Sequence, residues 1–109
     1  MDKAFIAQRI ANKLWTTEDA VDAAMAEAAT LMSELVVGRQ EMKVSAQTTE
    51  KATADLVAAI AALGQARAAL VEMHEELSEV KLRCGIRTKL IGGWDKNKAA
   101  APEELRATA

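Results

Sequence analysis

The sequence predicts an all-α protein, a long antiparallel helical hairpin with arms over about 4–43 and 46–90, and three observations predict it. Apolar residues recur at nearly every seventh position from Ala7 to Ile91. Half of the residues are hydrophobic but only 3% are aromatic, so Ala, Leu, Val and Met dominate, a composition that suits helices. The single Pro, Pro102, lies beyond the repeat, so no missing N–H or clashing ring interrupts a helix before it.

The repeat starts with the multiples of seven. With the letter a placed there, the a row reads Ala7, Leu14, Val21, Ala28, Leu35, Met42, Thr49, Leu56, Leu63, Leu70, Leu77, Cys84 and Ile91. Three residues on, the d row reads Ile10, Thr17, Ala24, Leu31, Gly38, Ser45, Ala52, Ala59, Ala66, Met73 and Val80. Together these rows form the a/d seam of a coiled coil. The expected oligomer seam is Val21, Ala28, Leu31, Leu35, Leu56, Ala59, Leu63, Leu70, Leu77 and Val80.

Two places weaken the seam. Thr16-Thr17-Glu18-Asp19 reads as an N-cap followed by acids in a first turn, so the first arm is expected to restart or kink near Thr16, with Trp15 plugging the kink. Around Val44 to Thr49, with Gly38 before it, hydroxyl and β-branched residues lower helix propensity, and a turn capped by Ser45 is expected. The heptad phase survives that turn. A continuous coiled-coil rod from about 17 to 90, roughly 110 Å long, is therefore the alternative.

Association follows from the width of the apolar surface. A lone helical hairpin leaves much of each helix wet, and this chain has further apolar residues off the a/d rows: Met25, Met32 and Ile60 at e, Val36, Val57 and Val71 at b. Two hairpins pairing into a four-helix bundle would cover more of it, so a homodimer is the expected assembly. Residues 1–91 form the helical coiled-coil or bundle domain. Gly92-Gly93 then breaks the helix, and 92–109 reads as a flexible C-terminal tail in which Trp94 either docks on the bundle or belongs to a partner-binding segment.

Chemistry is sparse. His74, the only histidine, sits among Glu72, Glu75 and Glu76, but successive helical side chains point about 100° apart and cannot converge on a metal. Cys84 falls on the a row, where a buried structural thiol is expected. One helix keeps it about 15 Å from His74, too far for a nucleophile and its base. No phosphate-binding glycine loop is present. No catalytic residue, cofactor or metal is expected, and no enzyme.

Charge is informative in its layout rather than in the net value of -2. Glu18, Asp19, Asp22, Glu27 and Glu34 lie between Trp15 and Val37 without a basic residue. Lys81, Arg83, Arg87, Lys89, Lys96 and Lys98 form a candidate anion-binding end, which a hairpin would set beside Lys3, Arg9 and Lys13. The longest uninterrupted apolar run is Leu56 to Leu63, so no transmembrane span is expected, and a charge-interrupted N-terminus does not read as a secretory signal. A single cysteine fits a cytoplasmic location. The leading expectation is a non-enzymatic structural or adaptor protein that binds itself and an unidentified protein partner. The alternatives are electrostatic binding of nucleic acid or an anionic membrane surface through the basic end, or an amphipathic coat on an apolar inclusion.

Overall fold

The computed structural model describes residues 2–87. Helix α1 spans Lys3–Glu41, a 3-10 turn spans Ala46–Thr49, and helix α2 spans Glu50–Arg83, with no strand among the described residues. The expected tail, with Trp94, Lys89, Lys96 and Lys98, lies outside them.

Asp2 opens α1. Its Oδ1 accepts the Ala4 N–H at 3.1 Å and its carbonyl accepts the Ile6 N–H at 3.2 Å, which satisfies donors that a helix start leaves orphaned. The helix then runs through Thr16-Thr17 without restarting, which corrects the reading of Thr16 as an N-cap. Thr16 Oγ1 and Thr17 Oγ1 instead donate to the carbonyls of Asn12 and Lys13, at 3.0 and 2.8 Å, inside an unbroken helix. Trp15 is half-buried there.

The turn falls where the hydroxyl-rich stretch predicts it, so the chain breaks as a hairpin requires and an uninterrupted rod does not. Lys43 takes the left-handed conformation, with φ of 58°. The Val44 N–H reaches back to the Arg39 carbonyl and the Lys43 N–H to that of Gln40, the paired bonds of a Schellman motif. Arg39 Nη1 donates to the Val44 carbonyl at 3.2 Å, tying the turn to the helix it ends. Ser45 is extended and stands at the N-cap, as expected, but its hydroxyl makes no backbone cap bond and lies 3.2 Å from Thr48 Oγ1. A left-handed lysine carries a Cβ penalty that glycine avoids. Lys43→Gly is expected to raise stability by up to about 1 kcal/mol, read as a higher urea midpoint with an unchanged m-value.

A second Schellman motif ends α2. Gly85 has φ of 77°, the Ile86 N–H bonds the Lys81 carbonyl and the Gly85 N–H bonds that of Leu82. The helix expected to continue to 90 thus stops at Arg83, because Gly85 takes the left-handed position that closes a helix. Cys84 is displaced with it. Expected as a buried seam thiol, it is exposed, since the chain leaves the helix axis at that residue.

The chain divides into two compact units, Met1–Asp19 with Leu70–Ala109, and Ala20–Ala69. In the first, Ala11 is buried between Ala7 and Leu77, and Leu14 and Ile86 are buried as well. In the second, the half-buried rows are Val21, Met25, Ala28, Met32 and Leu35 on α1 and Thr53, Leu56, Ile60 and Leu63 on α2, and no residue is fully buried. Both units are antiparallel helix pairs whose seam combines a and e rows. The a row of the expected seam is placed there, while Leu31, Ala59 and Val80 of the d row are exposed. The d row thus flanks the intrachain contact instead of lying in it.

Candidate functional site

Heptad geometry explains the exchange of d for e. A helix that touches one neighbour through a and e turns its d row about 100° away from e, toward a second neighbour or toward water. In an antiparallel pair the same letter on both helices flanks the same side. In the first unit this brings Ile10 and Val80 to one face, 43% and 39% exposed. In the second it aligns Ala24, Leu31 and Gly38 with Ala66, Ala59 and Ala52, a strip of small side chains around Leu31, which is 57% exposed.

The row turned inward is the more polar of the two. Glu18, Arg67, His74 and Lys81 all stand at e. Two of them anchor the register. In the first unit His74 Nε2 donates to Glu18 Oε1 at 2.6 Å, with both side chains about one-seventh exposed. In the second, Arg67 Nε meets Asp22 Oδ1 at 2.7 Å at the surface. A paired polar group in a seam holds alignment, because a slip would leave it unsatisfied. The surface pair adds little stability, since solvent screens it. The sequence reading left this role unassigned: His74 and Glu18 lie on different helices, and only the e/e seam brings them together. Among the described residues no three His, Cys, Asp or Glu side chains converge as a metal cluster.

At the end of the first unit lies an open apolar groove of about 220 Å³. Ala7, Leu77 and Ile86 line it beside the buried Ala11. Ile6, Ile10, Val80 and Cys84 extend it, and Lys3 and Lys81 contribute from opposite helices. Lys3 and Lys81 thus border one groove, with Arg83 in the last turn of α2 and the exposed Arg87 just after it.

The second helix has one further property. Over Ala46–Arg83, an 18-residue window has a mean hydropathy of 1.5 with no more than two charged residues, and none of it is buried. By length and composition alone that segment is apolar enough to cross a membrane, although no uninterrupted run in it is. No protein-family model, curated protein or solved structure matches this chain.

Proposed function

We propose that the protein is a non-enzymatic structural or adaptor protein that works through helix-helix association, with a second copy packed on the d-row face so that two hairpins form a four-helix bundle. One observation carries the reading: among the described residues only Ala11, Leu14 and Ile86 are buried, while Ile10, Leu31, Met73 and Val80 of one heptad row are exposed. Such a row is apolar surface that water drives toward another surface, and bundle helices use a, d and e together. The small residues at Ala24, Ala59 and Ala66 let a second backbone approach closely. Association that stabilises the fold makes unfolding depend on concentration. The midpoint of thermal unfolding, followed by circular dichroism, is expected to rise by several degrees over a hundredfold increase in protein; an unchanged midpoint would refute the reading.

The unburied apolar window of α2 favours a second reading, contact of the same face with a lipid or other apolar surface. It predicts flotation with neutral phosphatidylcholine vesicles and loss of the discrete oligomer on them. The charged alternative predicts flotation only with anionic vesicles, steep salt dependence and loss in the Lys81→Gln, Arg83→Gln, Arg87→Gln variant.

A further inference from the structure

The geometry points to the groove at the end of the first unit as a binding site for a single-chain anionic amphiphile, a free fatty acid, held by its hydrocarbon in the groove and by its carboxylate between Lys3 and Lys81. The lining is carbon almost throughout, so the groove offers nothing to a polar ligand body. Among the described residues its only charged members are two lysines, one from the first turn of α1 and one from the last turn of α2, with no acidic residue. Lysines lay their carbon stems along apolar surface and keep the ammonium at its edge, where it attracts a carboxylate. The nearby Asp2 carboxylate is engaged with the Ala4 N–H. At about 220 Å³ the groove is smaller than the roughly 300–1,000 Å³ of drug-sized sites, so it takes one unbranched chain. It is also preformed, because the Schellman bond from Ile86 to Lys81 folds Ile86, 8% exposed, back against the helix end. A second copy seating the same end here would bring like charges together, whereas an acid headgroup neutralises them.

The test is calorimetric titration of the full chain with decanoate below its micelle-forming concentration, beside decanol and decyltrimethylammonium. Decanoate is expected to saturate at one per chain, with the cation bound at least about tenfold more weakly. Lys3→Gln with Lys81→Gln should weaken decanoate about tenfold and leave decanol unchanged. Val80→Trp should fill the groove and abolish both, with circular dichroism confirming that each variant is folded. Ile10 and Val80 border both the groove and the d-row face, so Leu31→Glu, which removes a second copy through the other unit, should leave decanoate binding intact or tighten it, and loss of binding in that variant would tie the site to the assembly and overturn the proposal. Equal binding of anion and cation, decanoate binding indifferent to the lysines or to Val80→Trp, no saturation, or binding confined to vesicles and micelles would each overturn the proposal.

Discussion

Leu31→Glu is expected to convert the assembled protein to monomers, raising its dissociation constant on the order of a hundredfold or more. In a single chain Leu31 is 57% exposed, so a glutamate there meets water and costs the hairpin little. Packed under a second copy, the same carboxylate would be buried without a partner, which costs several kcal/mol. Val37→Glu is the control. Val37 is 46% exposed but stands at heptad position c, away from both the intrachain seam and the d-row face, and its replacement should leave the mass unchanged. Size-exclusion chromatography with light scattering reads both variants, and equal behaviour of the two would remove the d row from any interface.

Leu14→Ala is expected to destabilise the fold by about 2–5 kcal/mol, because the cavity left by a buried leucine adds to the lost transfer energy. Leu14 is 5% exposed, one of three buried residues among those described, so little else compensates. A fold with so small a core has few kcal/mol to lose, and partial unfolding at 37 °C should accompany the change. Leu82, 60% exposed on α2, provides the contrast: Leu82→Ala should shift stability by no more than about 0.5 kcal/mol. Urea unfolding followed by helical circular dichroism measures both, at one fixed protein concentration. Similar losses for the two leucines would mean that the first unit is not where the chain is anchored.

Much of the architecture is legible in the sequence, since it depends on local rules. The absence of proline before Pro102 and the seven-residue repeat demand long helices, and the hydroxyl-rich stretch before Thr49 locates the turn with Ser45 at its exit. The end of α2 was legible too, in Gly85 followed by the apolar Ile86, the pattern of a left-handed cap. The longer apolar periodicity running on to Ile91 hid it. Which rows pair was not legible. Periodicity reports that a, d and part of e are apolar, but not which neighbour covers each, and that choice is made between helices far apart in sequence. Glu18 and His74 illustrate the point, since each looks like an ordinary polar surface residue until α2 folds back and sets one against the other at 2.6 Å. Likewise, the hairpin sets Lys3 and Lys81 at one end, but the apolar groove that both border was not legible.

The account turns on whether the exposed d row is covered by a second copy. Sedimentation equilibrium of the unmodified chain over the micromolar range measures this without a variant or a ligand. A mass of about 23 kDa, twice that of the 11.7 kDa chain, is predicted. A fully helical protein that stays at 11.7 kDa at every concentration would contradict it.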